Sequence, residues 1–307
     1  DFCTQAAAQI RALCAAPEAA VHFLIGGTQA NLVVIDALLF SYEAVIAAHT
    51  GHVNVHETGA IEATGHKVCT APSPDGKVSV EMVEAIVASH SSEHMVHPRL
   101  VYISDTTETG TVYTKAELTA LRQCCDRHGL LLYLDGARLG CALTIPGADV
   151  TLSDLAALTD VFTIGGTKNG ALFGEAVVLN TPCPRFRWHM KQRGAVLAKG
   201  RLLGVQFQAL LKDGLYFEMA RHANALASRL REGIAALGYE FGSDSPSNQQ
   251  FPILPNHVVE ALEKLGYEFE VDHPVDPQHT CIRLVTSWAT PSEAVEGFLQ
   301  DLSACRA

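Results

Sequence analysis

Two short segments carry side chains suited to acid–base or carbonyl chemistry. Leu132-Tyr-Leu-Asp135-Gly-Ala-Arg138 ends an apolar run in an aspartate. Val161-Phe-Thr-Ile-Gly165-Gly-Thr-Lys168-Asn-Gly170 ends a second one in a glycine-rich turn with a single lysine. As strands of an open α/β sheet, both runs would end at the edge where such sheets bind ligands. A carboxylate buried there needs a cation or hydrogen-bond donors; an Asp135–Arg138 ion pair or a helix cap would also meet that need. The small neighbours of Lys168 leave room for a bulky partner, and desolvation lowers a lysine's pKa so that it can form a Schiff base. A loop lysine in solvent is the alternative.

Gly26-Gly27-Thr28-Gln29 stands where another apolar segment gives way to a helix. Glycines there let backbone N–H groups converge on an anion such as a phosphate, although such a pair can also be a plain turn. The segment matches neither G-x-G-x-x-G nor the Walker pattern, so dinucleotides and NTPs receive no support. His49, His52 and His56, with Glu57, and separately His90, His94 and His97 have spacings compatible with a metal. Fourteen histidines produce such spacings by chance, and no metal is expected. A flat imidazole at His52 suits stacking on a planar cofactor better. Taken together, a phosphate nest, an imidazole, a strand-end aspartate and a pocket lysine are what pyridoxal 5'-phosphate requires. The lysine binds the aldehyde and the carboxylate keeps the pyridine nitrogen protonated.

These residues need a scaffold, and the pattern predicts one. Helices are expected over Gln5–Cys14, Gln29–Phe40, Val78–Ser89 and Thr114–His128. Strands are expected over Glu43–Ala47, Lys67–Thr70, Leu100–Ser104, Leu130–Leu134, Val161–Ile164 and Ala176–Leu179. The strands are apolar without alternation, as when helices cover both faces of a mostly parallel sheet. Thr114 and Glu117 form a capping box. After Pro182 and Pro184 the pattern predicts long helices, Phe186–Leu211 and Tyr216–Leu237. Short strands (Phe251–Ile253, Tyr267–Val271, Cys281–Val285) and helices (Asn256–Leu265, Pro291–Ala304) follow. We expect a large α/β domain over residues 1–213 and a small α+β domain over 214–307.

Composition narrows the function. Of 307 residues 48% are apolar and 18% charged, which excludes intrinsic disorder. The net charge of -11 with no basic cluster argues against a nucleic-acid partner. Asp36 interrupts the most apolar stretch, Leu32 to Phe40, far short of the roughly 18 residues a membrane span needs. No secretory signal is recognisable. Nine scattered cysteines without a C-x-x-C pair suit reduced thiols and a cytoplasmic setting.

The sequence resembles the threonine aldolases of the β-eliminating lyase family. The resemblance is carried by Gly27-Thr-Gln-Ala-Asn-Leu32, His52 through His56-Glu-Thr-Gly-Ala60, Thr107-Glu108 with Gly110-Thr111, Leu134-Asp-Gly-Ala-Arg-Leu139, Gly165-Gly-Thr-Lys-Asn-Gly170 and Arg283-Leu-Val-Thr-Ser-Trp288. It implies the fold-type-I transferase fold of pyridoxal-phosphate enzymes, with a seven-stranded sheet in the large domain. It implies cleavage of β-hydroxy-α-amino acids such as L-threonine or L-allo-threonine to glycine and an aldehyde. The alternative is another β-eliminating reaction on a related amino acid. By resemblance Lys168 is the Schiff-base lysine, Asp135 the partner of the ring nitrogen, and His52 the stacking residue. Gly27 and Thr28 bind phosphate, and Arg138 and Arg283 grip the substrate carboxylate. His52 is the first candidate for the base, with Glu57 or Glu108 acting through water as alternatives. Arg193 or Arg201 would reach a neighbouring subunit's phosphate, since such enzymes are homotetramers assembled as dimers of dimers. Two departures stand out. About thirty N-terminal residues typical of the family are expected before Asp1, and Asp105 replaces an amide near the expected substrate face.

Overall fold

The apolar runs form strands whose side chains alternate between two cores. The computed structural model describes residues 1–306. Strands β1 (Ala20–Leu24), β2 (Glu43–Ala48), β3 (Val68–Ala71), β4 (His97–Ser104), β5 (Leu131–Asp135), β6 (Val161–Gly165) and β7 (Glu175–Leu179) form one sheet, in the order β1-β7-β6-β5-β4-β2-β3. β3, β2, β4, β5 and β6 run parallel, while β7 is antiparallel to both β6 and β1. Helices α1 (Phe2–Leu13), α2 (Gly27–Leu38), α3 (His52–Val55), α4 (Val80–Ser89), α5 (Lys115–His128), α6 (Leu139–Ala142), α7 (Leu152–Leu158), α8 (Phe186–Gln192) and α9 (Arg201–Leu211) accompany it.

Val45 and Ala47 of β2, Leu100 and Tyr102 of β4, and Val177 and Leu179 of β7 pack with Val33 and Val34 of α2 and Phe186 of α8. The intervening Ile46, Ala48, Val101, Ile103, Ala176 and Val178 pack with Ile10 of α1, Leu121 of α5 and Phe207 of α9. Burial on both faces is why the strands lack polar alternation. Truncating the fully buried Ile46 to Ala would cost about 2–5 kcal/mol. The expected box at α5 forms: Thr114 Oγ1 accepts from Glu117 N at 3.2 Å, and Glu117 Oε2 accepts from Thr114 N at 2.7 Å.

Four expectations need correction. β1 was not foreseen, because His22 interrupts its apolar run. Phe186–Leu211 is not one helix, since Gly194 takes a φ of 76° and ends α8 well before α9 begins. The strands expected at Phe251–Ile253 and Tyr267–Val271 lie instead at Ile253–Pro255 and Glu270–Pro274.

Past Asp213 (φ 52°) and Gly214 the chain forms α10 (Leu215–Ala236), β8 (Gln249–Gln250), β9 (Ile253–Pro255), α11 (Asn256–Lys264), β10 (Glu270–Pro274), β11 (His279–Val285) and α12 (Ser292–Ala304). The strand β11 pairs antiparallel with β10, β8 and β9. Leu230, Ile234, Leu254, Ile282, Phe298 and Leu302 give this part its own core. Ser243 Oγ donates to Thr109 O (2.6 Å) and Gln249 Nε2 to Thr107 O (3.2 Å), fastening it beside the ends of the parallel strands. No helix among the described residues is long and apolar enough to cross a membrane.

Candidate active site

The carboxyl ends of β2, β4, β5 and β6 deliver, in turn, His52, Ser104 with Glu108, Asp135 with Arg138, and Lys168 to one edge of the sheet. The register fixes their neighbours: Ser104 lies opposite Asp135, and Gly165 opposite Glu175. Close approach of the last two parallel strand ends requires glycine. A Cβ at Gly165 would lie 2.5 Å from Ala137 O, and one at Gly136 would collide with Thr163 O. With side chains there, the Asp135 and Lys168 loops could not lie side by side.

Gly26, Gly27, Thr28, His52, Ser104, Glu108, Asp135, Arg138, Lys168 and Glu175 all line one cavity of about 280 Å³. Five side chains expected from sequence (His52, Glu108, Asp135, Arg138 and Lys168) therefore converge with the Gly26–Thr28 nest. The nest opens α2, whose N-terminus has no side-chain cap. Cβ atoms at Gly26 or Gly27 would meet nothing within 4 Å. Unpaired N–H groups and the helix dipole favour an anion there.

Asp135 is buried and accepts three hydrogen bonds. Its Oδ2 accepts from Tyr102 Oη at 2.7 Å and Asn31 Nδ2 at 2.9 Å, and its Oδ1 from Ala137 N at 2.9 Å. The same Asn31 amide donates to Glu57 Oε1 at 2.6 Å and accepts from Tyr133 Oη at 2.6 Å. Glu57 Oε1 in turn sits 2.7 Å from His52 Nδ1. One amide thus bridges two buried carboxylates, one presented to the cavity and the other orienting the imidazole. Burial opposes charge on His52, but the hydrogen bond and charge of Glu57, helped by Asp135, raise its pKa above the ordinary value.

Burial, reinforced by the Arg138 guanidinium, pushes the Lys168 amine below the ordinary lysine value. A larger fraction of neutral amine is what attack on an aldehyde needs. Arg138 is itself pushed down by burial and then by Arg283. Arg283 lines a second, outer cavity of about 700 Å³ with His56, Glu108 and Glu270. Its guanidinium is paired with Glu270, the residue opposite it across β10 and β11. Glu108 borders both cavities; its Oε1 accepts from Ser104 Oγ (2.8 Å) and His52 N (3.0 Å), and burial raises its pKa.

Other expected residues lie elsewhere. Asp105 does not face the cavity: alternation along the strand end turns Ser104 inward and Asp105 away, beside Tyr113 in a small void of about 90 Å³. Burial pushes its carboxyl up to about 8. Arg193 pairs with Asp36 at 3.0 Å, and its carbonyl accepts from Gln29 Nε2 at 3.0 Å. Arg201 borders a separate cavity with Arg11, His22 and Arg187. The histidine trios do not gather. His49 Nδ1 accepts from Ser73 N (3.0 Å), and His90 Nδ1 lies 2.8 Å from Ile86 O. Among the described residues the groups with metal-ligand proximity are Glu84–Cys124–His128 and Asp272–His273–Cys281, neither of which includes them.

Sequence reasoning missed Asn31, Tyr102, Tyr133, Ser104 and Glu175. Asn31 had a signal, being a buried amide just ahead of the apolar run Leu32–Ile35. Glu175 had a weaker one, a carboxylate opening the apolar strand EAVVL.

The family model described as beta-eliminating lyase matches residues 4–254. The low specificity L-threonine aldolase of Pseudomonas sp. (strain NCIMB 10558) is 34% identical over 246 residues, 78% of this chain and 71% of its own. That of Pseudomonas aeruginosa is 35% identical over 219 residues, covering 70% of this chain and 63% of its own. Among solved structures, a Leishmania major threonine aldolase superposes with a TM-score of 0.98 at 48% identity, over 100% of this chain and 90% of that one.

Proposed function

The chain belongs to the beta-eliminating lyase family, and from that premise we propose that it is a pyridoxal-phosphate-dependent aldolase of β-hydroxy-α-amino acids. L-Threonine or L-allo-threonine would be cleaved between Cα and Cβ to glycine and acetaldehyde. The observation that carries this reading is the convergence of Lys168, Asp135 and the uncapped start of α2 on one cavity. Those residues fit the cofactor: an open glycine cradle for its phosphate, a carboxylate with an acceptor site left on Oδ1 for its ring nitrogen, and a desolvated amine for its aldehyde. The relatives' names, low specificity L-threonine aldolase and threonine aldolase, point the same way.

When bound, pyridoxal phosphate supplies a conjugated ring that withdraws electrons from the substrate's Cα. Gly27 and Thr28 hold the phosphate. Asp135, which accepts from three donors, would hold the proton on the ring nitrogen. Lys168 would hold the cofactor through its aldehyde. Arg138 from the inner cavity and Arg283 from the outer one grip the substrate carboxylate, orienting the Cα–Cβ bond. His52 would stack on the ring and accept the β-hydroxyl proton, while Glu57 on its Nδ1 would stabilise the imidazolium that results. Glu108, shared by both cavities, is the alternative base through water.

The finer features belong to the same reading. The division near Asp213 into large and small domains is supported by the separate core past that point. A cytoplasmic homotetramer of two dimers, with Arg193 or Arg201 serving a neighbouring site, is the assembly we propose. L-Threonine supplied to the PLP-loaded protein tests the activity. Equal amounts of glycine and acetaldehyde, absent with Lys168→Ala, are expected. Formation of 2-oxobutanoate and ammonia instead would favour the alternative, a β-elimination on the same scaffold.

A further inference from the structure

The mechanism above leaves one buried acid of the cavity without a task. Glu175 opens β7, is only 4% exposed, and lines the cavity with Lys168 and the glycine nest. Its Oε2 is buried without a hydrogen-bond partner, an arrangement that costs about 1–3 kcal/mol unless something supplies the missing bond. In register it lies between Leu24 of β1 and Gly165 of β6. Leu24 leads directly into Ile25-Gly26-Gly27-Thr28, and Gly165 into Gly166-Thr167-Lys168. The side chain shares its strand face with Val177 and Leu179, which pack beneath α2, the helix whose N-terminus is the nest. Glu175 therefore sits between the two backbone segments that frame the anion-binding end of the cavity.

We propose that Glu175 is a further cofactor-binding residue, whose carboxyl, carrying its proton, donates a hydrogen bond to the phosphate end of the cofactor. This inference rests on the pyridoxal-phosphate reading. An ionised carboxylate beside a phosphate would repel it, whereas a neutral carboxyl supplies the donor that the anion wants. Its neighbours come from several elements. Asp135 and Tyr133 face it from β5, Lys168 and Thr167 from the turn after β6, and Tyr216 from α10; Leu24 brings no charge from β1. Across the cavity lie Arg138, His52 and Glu108. Burial, then the Asp135 carboxylate, pushes Glu175 up to about 8, although Lys168 and donors on Thr167 and the Gly166 backbone pull the other way.

The test is equilibrium binding of pyridoxal 5'-phosphate between pH 7 and 9, followed by protein fluorescence. Glu175→Gln keeps a donor that cannot ionise, and Glu175→Met removes it. At pH 7 the Gln variant should bind within about two-fold of the wild type. By pH 9, one unit above the carboxyl's value, it should bind about ten-fold more tightly than the wild type. The Met variant should be weaker than the wild type at pH 7 and converge with it at pH 9. Pyridoxal, which lacks the phosphate, should show no such divergence. A Gln variant that loses affinity at pH 7, or a divergence equally large with pyridoxal, overturns the inference while leaving the cofactor reading intact. Failure of the wild type to bind pyridoxal phosphate at any pH overturns both.

Discussion

The inner cavity and the outer one differ in how their charges are held. In the inner cavity each oxygen of Asp135 has donors, Asn31 is engaged at both ends of its amide, and His52 is oriented by Glu57. All of this is anchored to strand ends packed on both faces. In the outer cavity, Arg283 and Glu270 lie opposite one another on β10 and β11, and every residue of β10 is exposed. The first region is organised before any ligand arrives. The second offers an ion pair that an incoming carboxylate can exchange. Cofactor affinity should therefore follow burial and polar satisfaction, and substrate affinity should follow competition for one guanidinium.

The largest predicted effect lies in the inner network. Asn31→Ala leaves Glu57 and Asp135 facing one another without the bridging amide and should lower unfolding free energy by about 1–3 kcal/mol. Urea denaturation would measure it, and an unchanged midpoint would show that the bridge stabilises nothing. Arg283→Ala comes next. Losing charge-assisted bonds to the substrate carboxylate should raise KM about 10- to 100-fold, with cofactor binding unaffected; a parallel loss of cofactor would erase the distinction between the cavities.

A smaller effect concerns pH. His52 must be neutral to accept a proton, and its pKa is raised chiefly because the Glu57 hydrogen bond and charge outweigh burial. Activity should therefore increase as pH rises through that elevated value. Glu57→Gln should move the acidic limb of the kcat/KM profile to lower pH. An unmoved limb would give the base role to Glu108. The smallest effect has the opposite sign to the second. Glu270→Gln frees Arg283 from its partner and should lower KM by up to about five-fold, the range of a partly exposed ion pair. A raised KM would mean that Glu270 positions Arg283 instead of competing for it.

The sequence made the inner cavity far more legible than the outer one, for physical reasons. Asp135 and Lys168 follow continuous apolar runs, so their place at the sheet edge could be read from those runs and from the glycines that follow them. Asn31 and Glu175 serve the same region, yet an amide in a helix and a carboxylate at a strand start give only weak local signals, which do not say what they face. β10 was displaced in the reading because its wholly exposed residues, ending in Pro274, have neither the apolar run nor the alternation of a buried strand. The interruption between α8 and α9 was hidden because apolar spacing continues across Gly194, whose left-handed φ ends the helix. Asp105 was misjudged for want of the one-residue register that separates it from Ser104.

The central claim is that the inner cavity holds the cofactor on Lys168. Borohydride reduction of the protein loaded with pyridoxal phosphate, followed by proteolysis and mass mapping, tests it most directly. The account predicts the pyridoxyl group on the peptide containing Lys168 and on no other lysine. A label on Lys77, Lys191 or Lys199, or no label on a protein that nevertheless releases acetaldehyde from L-threonine, would contradict it.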